Sequence, residues 1–333
     1  MTFFSMALSP ARNIYQQQAQ NKRLTILIMV LFMLFLAFLG FGLDMYLTGS
    51  LENYIPIGTF FAVAVGFGSS FWSLQSGAKA VLNSSGAVPV DENNPQQKQL
   101  INIVHEMSIA SGLPMPKVYV IPDADPNAFA TGKDPNNSHV AVTQGLLDTL
   151  NREELQGVVA HEMSHIRNYD IRLLTVIAAL VGSVLLLSDF ARRGLFYGGG
   201  RRGKRDSKGS GQLGLLLLVL WIIAIILAPI VSQILAMAVS RKREYLADAS
   251  AAELTRNPLG LASALRKIEN APAPTASIKR GAAHLCIADP LGKRINAKEG
   301  FVAELFGTHP PIDKRILALQ AMAYHYQPAT PYV

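Results

Sequence analysis

The sequence predicts a mostly α integral membrane protein, with about four transmembrane helices and a cytoplasmic α+β domain that carries a small β-sheet. Three observations lead there. Hydrophobic residues make up 50% of the 333 and gather into long uncharged runs. Basic residues flank those runs unevenly. The polar remainder mixes helical periodicity with a few short strand-like stretches.

The runs come first. Leu24–Leu43 and Ile55–Leu74 are each twenty residues without a charge, and Leu213–Ser240 is twenty-eight, interrupted only by Pro229 and Gln233. About 20 helical residues cross a hydrocarbon core of roughly 30 Å. Leu173–Ser188, at sixteen residues, is short for a span and reads either as a third crossing or as a re-entrant helix. The first run is longer than a signal-peptide core, and no A-x-A-like site follows it, so it reads as a retained anchor. The segment before Leu24 carries Arg12, Lys22 and Arg23 and no acid, whereas the connection after Leu43 holds Asp44 and Glu52 and no base. By the positive-inside tendency the N-terminus is cytoplasmic, and the chain returns there after Leu74.

The expected organisation follows. Residues 1–23 form a cytoplasmic segment, 24–43 and 55–74 the first two spans, and 75–170 the first part of the cytoplasmic domain. Residues 171–188 span or re-enter, 189–212 form a basic loop, 213–239 the last span and 240–333 the second part of the domain. The loop concentrates Arg192, Arg193, Arg201, Arg202, Lys204, Arg205 and Lys208 among glycines. Beside two apolar runs its natural partner is the lipid bilayer, not nucleic acid. If both flanking runs span, this loop lies outside the cytoplasm against the positive-inside tendency; a re-entrant hairpin would keep it inside. The single cysteine, Cys286, excludes an intramolecular disulfide.

Within residues 75–170, Gln97–Ser111 reads as a helix. Val118–Ile121 and Val140–Thr143 read as strands joined by a loop with Pro126, Gly132 and Pro135. A further helix starts at Asn151, an N-cap with Glu154 three residues on in a capping-box pattern. No Pro or Gly falls between Val158 and Val181, so this helix is expected to run straight into the third apolar run. Arg241–Leu254 reads as a charged helix, and Ala271–Ala276 as a Pro/Ala linker.

The chemistry sits on the helix that starts at Asn151. His161-Glu162-Met163-Ser164-His165 is an H-E-x-x-H pentad. Positions four apart share a helix face, so His161 and His165 can hold one metal ion, with Glu162 placed to act on a metal-bound water. A catalytic zinc needs a third protein ligand. Glu244 and Asp248 share a face of the later charged helix, so one can bind while the other orients a ligand histidine. His165 lies eight residues before Leu173, about 12 Å along a helix, and Glu244 lies four residues beyond Ser240. Both therefore stand near a membrane surface, and two crossings between them, or a hairpin, bring them to the same side. Asp170 falls about 140° around a continuous helix from His165 and reads as structural. His105, His139, His284 and His325 have no ligand spacing.

These motifs, taken in order, resemble the HtpX-type membrane zinc metalloproteases, relatives of the CAAX prenyl protease and other gluzincins. The resemblance rests on Pro126–Gly132, Val140–Thr143, His161–Arg172 and Ser240–Asp248, and on Thr308–Arg315, which is similar to the family's H-P-P-x-x-x-R. It implies a zincin-like protease domain with one Zn2+ per chain held by His161, His165 and Glu244. It also implies Glu162 as catalytic base and an active site facing the cytoplasm, in a bacterial inner membrane. A second donor should help the metal hold the developing oxyanion. His309 is the favoured candidate, and Tyr245 and Arg315 are others; Arg315 equally suits pairing with a carboxylate. Substrate binding in such proteases uses strand addition, for which Asn127–Thr131 or Val140–Thr143 would supply the sheet edge. A zinc near the bilayer points to membrane proteins as substrates, misfolded ones above all. The rival readings are a scaffold or transporter, although the long runs hold no ionisable residue, and a tethered peptidase for soluble substrates.

Overall fold

The computed structural model describes residues 14–48, 56–177, 241–271, 275, 277–278, 285–288 and 310–326. The last expected span, the basic loop, most of the third apolar run and His309 lie outside the described residues.

The chain opens with a helical hairpin. Helix α1 (Ile14–Thr48) starts well before the apolar run, because no Pro or Gly interrupts it until Gly40. Helix α2 (Ile57–Ser84) runs back beside it. Both are long and apolar enough to cross a membrane, and they are the two such helices among the described residues. The crossing is tight: a Cβ on Gly40 would stand 2.6 Å from the Gly58 carbonyl oxygen. Pro56 offers α2 no side-chain cap. Asp44 of α1 replaces it, accepting from the Gly58 N–H at 2.6 Å and the Thr59 N–H at 2.8 Å. A carboxylate there answers both the orphan donors and the dipole of α2.

α2 does not stop where its apolar run ends at Leu74. It continues for ten residues, and Val81 and Leu82 pack with Ile121, Phe129, Ala141, Leu174 and Leu285. The second candidate membrane helix thus feeds directly into the core of the domain.

The sheet has four strands in the order β1-β2-β4-β3: β1 (Val88–Pro89), β2 (Lys117–Ile121), β3 (Ala128–Gly132) and β4 (Ser138–Thr143). β2 and β4 are parallel; β1 on β2 and β3 on β4 are antiparallel. Two expectations need correction. The segment between Ile121 and Val140 is not only loop, since it contains β3. Val140–Thr143 cannot offer a free edge, since β4 lies between β2 and β3 and pairs on both sides. β3 overlaps the Asn127–Thr131 segment named as a possible sheet edge; its own residues show no alternation because all five are buried.

Helices cover this sheet. α3 (Pro95–Ser111) begins at Asn94, whose side chain accepts from two backbone N–H groups, and ends at Gly112 in the left-handed region at φ 67°. After the short α4 (Gln144–Thr149) comes α5 (Arg152–Arg167), whose predicted capping box is present in both directions between Asn151 and Glu154. α5 is the central element. It packs on α3, β3, α6 (Arg241–Thr255) and α7 (Pro258–Glu269). A Cβ on Gly157 would stand 2.9 Å from the Leu261 backbone nitrogen, so α5 and α7 touch backbone to backbone. α8 (Ile312–Tyr326) closes the cluster against α6 and α7. Leu155, Val158, Met163 and Ile166 share one core with Leu100, Val140, Leu261 and Ile316.

α5 also departs from the straight continuation expected of it. It ends at Arg167, Tyr169 takes a left-handed conformation at φ 61°, and residues 170–177 resume as a separate helical stretch. Neither Gly nor Pro marks the break, which is why the sequence hides it. The expected linker at 271–276 is also tied down at Thr275, which is buried and hydrogen-bonded to the side chains of Asp125 and Asn127.

Candidate metal centre

Because α5 is surrounded, its pentad is buried on every side. His161 and His165 bring their Nε2 atoms to 3.2 Å from each other. α6 crosses α5 at this point and sets Glu244 beside both rings. Its Oε2 lies 3.6 Å from His161 Nε2 and its Oε1 lies 3.6 Å from His165 Nε2. These three residues are the group among the described residues able to hold a metal ion.

The far side of each imidazole meets a carboxylate. Asp248, one turn beyond Glu244, places Oδ1 2.9 Å from His161 Nδ1. Asp170 places Oδ2 3.0 Å from His165 Nδ1. Asp170 was expected to be structural, and this needs correction. The 140° offset holds only for an unbroken helix, and the turn at Tyr169 swings the carboxylate back to the ring. Both carboxylates can only accept, so a metal ion on the two Nε2 atoms would find each ring oriented with its Nδ1 proton toward a carboxylate.

Arg315 of α8 holds Asp248 through Nε at 2.8 Å and Nη2 at 2.7 Å, donates from Nη1 to the Ile287 carbonyl at 2.9 Å, and lies 3.4 Å from Glu244. It is 0% exposed, so of its two sequence-level readings the structure has the pairing with a carboxylate. Tyr245, the next residue after Glu244, stands on the exposed side of α6.

The electrostatics match. Burial works against a charge on His161, yet Asp248 and Glu244 outweigh it and raise the pKa to about 9. Burial pushes the Asp248 carboxyl up, but Arg315 and His161 pull it down to about 2. Glu162 goes the other way: burial raises its carboxyl above the ordinary value despite both histidines. Neither Glu162 oxygen has a hydrogen-bond partner in range among the described residues; the Ala130 N–H is near enough only to soften the shift. A buried carboxylate without a donor is costly unless something else completes the site.

The donor set suits zinc. Two imidazole nitrogens and one carboxylate leave a fourth position open. Ligand atoms at about 2.0–2.1 Å in tetrahedral array stand roughly 3.3 Å apart. The separations of 3.2, 3.6 and 3.6 Å lie close to that.

Comparison with known proteins agrees. Residues 94–323 match the model of peptidase family M48. The chain belongs to that family. M48 enzymes are zinc-dependent metallopeptidases, and this chain is a metallopeptidase. It is similar to the protease HtpX homolog of Caldanaerobacter subterraneus subsp. tengcongensis, with 44% identity over 93% of this chain and 98% of that one. The protease HtpX homolog of Lactobacillus helveticus is 45% identical over 93% of this chain and all of the relative. Among solved structures, Ste24p of S. mikatae aligns over 78% of this chain and 64% of its own, at 17% identity and a TM-score of 0.42.

The M48 site also uses residues that the sequence reading passed over. Arg243 Nη1 lies 3.5 Å from Asp170 Oδ1, and Asn21 of α1 donates to that same oxygen at 2.7 Å. Asn21 lies 149 residues from Asp170 in sequence and has no helical spacing to it, so no local signal marks it.

Proposed function

We propose that this M48 peptidase is a membrane-bound endopeptidase with one zinc ion on His161, His165 and Glu244 and with Glu162 as general base. The observation that carries the reading is the contrast around the centre. Each imidazole has a carboxylate oxygen within 3.0 Å of its Nδ1, while the buried Glu162 carboxylate stands beside them with only the Ala130 N–H near it. A bound zinc ion would supply Lewis-acid polarisation of the peptide carbonyl and a water acidified to a pKa of about 7. Glu162, raised in pKa by burial, takes the proton of the attacking water and returns it to the leaving amine. Asp248 and Asp170 hold the imidazoles in one tautomer throughout. His309 is proposed as the oxyanion donor.

The edge strand β3 is the proposed docking line for substrate. Its outward positions alternate as Ala128, Ala130 and Gly132. The Ala128 carbonyl accepts from the Ile287 N–H at 2.9 Å, and the Gly132 N–H donates to the Thr175 hydroxyl at 3.2 Å. Ala130 lies between them on the Glu162 side, where an extended peptide would pair.

The site also lies at the foot of α1. Asn21, three residues before the apolar run, touches Asp170. That proximity supports membrane proteins as substrates, misfolded ones in particular, cut in their cytoplasmic parts as quality control in a bacterial inner membrane. The positive-inside pattern supports the cytoplasmic side.

Glu162→Gln tests the mechanism. Bound zinc should stay at the native level while cleavage falls by about 10²–10⁴-fold, the range for loss of a general base. Full cleavage by that variant would remove Glu162 from the mechanism, and a native chain without zinc would remove the site. Cleavage of a membrane substrate in bilayers, set against its excised soluble loop, tests the substrate class; equal rates would argue for a tethered peptidase of soluble substrates.

A further inference from the structure

The first candidate membrane helix does more than pair with the second. Its N-terminal part grips the turn that closes α5. Gln18 Nε2 donates to the Arg167 carbonyl at 2.8 Å, and Asn21 Nδ2 donates to the Asn168 carbonyl at 2.8 Å. Lys22 lays its ammonium 4.2 Å over the ring of Tyr169, the residue whose left-handed backbone ends the helix. These contacts satisfy carbonyls that the end of α5 leaves orphaned.

Asn21 has a second task. It is buried, and the Thr25 hydroxyl donates to its carbonyl at 2.8 Å. Its amide nitrogen also donates to Asp170 Oδ1 at 2.7 Å. Both of its partners are acceptors, so only the nitrogen can face them, and both amide hydrogens are used. Asp170 divides its carboxylate accordingly. Oδ1 faces Asn21 and, at 3.5 Å, Arg243; Oδ2 is left for His165 Nδ1 at 3.0 Å. Tying one oxygen fixes the rotation of the group and so delivers the other to the histidine. His161 is served by a separate line, Asp248 and Arg315, built from α6 and α8. The two histidines are therefore held by different parts of the molecule.

We propose that Asn21 is a positioning residue of the metal centre. Asn21, carried on α1, turns Asp170, and through it His165, into the geometry that binds metal. The inference rests on the reading of His161, His165 and Glu244 as ligands, and it makes this one hydrogen bond from α1, not the seating of α1 as such, a determinant of metal affinity.

The test uses the full chain in detergent or bilayers, with zinc as the probe. Asn21→Leu keeps the size of the side chain and removes the donor. Gln18→Leu removes a neighbouring contact of α1 that touches no carboxylate of the centre. Two quantities are measured: zinc affinity by competition with a chelator, and the rise in thermal midpoint that zinc produces. Partners one layer beyond the ligands are worth about 10–100-fold in affinity, so Asn21→Leu should weaken zinc by about tenfold. It should also shrink the zinc-induced rise, while Gln18→Leu leaves both near native. A merely structural Asn21 would lower the midpoint equally with and without zinc and leave affinity unchanged; that result overturns the proposal. An equal loss of affinity in Gln18→Leu overturns it too. If Asn21→Leu does not fold, Asn21→Ser, too short to reach Asp170, carries the same two outcomes. A native chain that binds no zinc would fail the ligand reading itself, which is a different result from native zinc binding left intact in the variants.

Discussion

Arg315 meets Asp248 through two parallel hydrogen bonds, Nε to Oδ2 at 2.8 Å and Nη2 to Oδ1 at 2.7 Å, in a pair fully removed from solvent. The pair binds α8 to α6 and at the same time aims Asp248 at His161. Removing one partner of a buried ion pair strands the other charge and costs about 3–5 kcal/mol. Arg315→Leu should therefore lower the unfolding midpoint strongly and weaken zinc binding. Arg315→Lys should recover only part of either, because an ammonium cannot match both carboxylate oxygens. A native midpoint in Arg315→Leu would contradict this account.

Metal removal should act on both activity and stability. An ion that binds only the folded chain stabilises it by about 2.7 kcal/mol at a free concentration of one hundred times its dissociation constant. Chelation is expected to abolish cleavage and lower the thermal midpoint, and added zinc to restore both. Magnesium should restore neither, since it demands six oxygen ligands and the site offers two nitrogens. Rescue by magnesium would rule out the zinc assignment.

The start of α5 should show a signature at acid pH. Burial raises the Glu154 carboxyl, but Lys267 at 2.7 Å, the Ser263 hydroxyl and the Asn151 backbone N–H, which donates to Glu154 Oε2 at 2.8 Å, together carry it below 4.5. A depressed folded-state pKa contributes stability that is present above the unfolded value and lost as pH falls through the folded one. The native chain should thus lose more stability than Glu154→Gln on acidification below 4.5. Unfolding midpoints measured on either side of that pH give the comparison, and parallel pH slopes would refute it.

Gly157→Ala separates helix propensity from packing. Alanine in a helix is worth up to about 1 kcal/mol over glycine. Here its Cβ would stand 2.9 Å from the Leu261 backbone nitrogen and 3.0 Å from its Cα, and neither can swing aside. Overpacking of this kind costs about 1–3 kcal/mol. The variant should be destabilised in denaturant melts; a stabilised one would mean that α7 moves away freely.

Ala130→Pro examines strand addition. Proline is tolerated on an edge strand whose N–H faces outward, so the fold should survive. Loss of that donor is expected to slow peptide cleavage by about tenfold, as a lost hydrogen bond of roughly 1.4 kcal/mol implies, with zinc binding near native. Unchanged cleavage would move the docking line elsewhere.

Much of the centre was legible in the sequence because helical spacing is local. His161 and His165, four apart, share a face in any α-helix, and so do Glu244 and Asp248. The capping box at Asn151 was legible for the same reason. Asp170 was misread because its placement depended on an unbroken helix. Tyr169, in left-handed backbone with its ring under Lys22, breaks that helix without a glycine or proline to announce it. β3 could be named only as a possible edge at Asn127–Thr131, because it is buried on both faces and no alternation marks its bounds.

The pentad, the apolar runs and the family they resemble can be read from the residues in order. Each of these is written in spacing along one helix or in the length of one uncharged stretch. Which carboxylate meets which histidine, that Arg315 is spent on Asp248, and that Asn21 of α1 reaches the centre all follow from the three-dimensional packing. Those assignments depend on how separate helices cross. Crossing is set by the packing of α5 against α6, α7 and the end of α1, through contacts between residues about 70 to 150 positions apart that no local periodicity records.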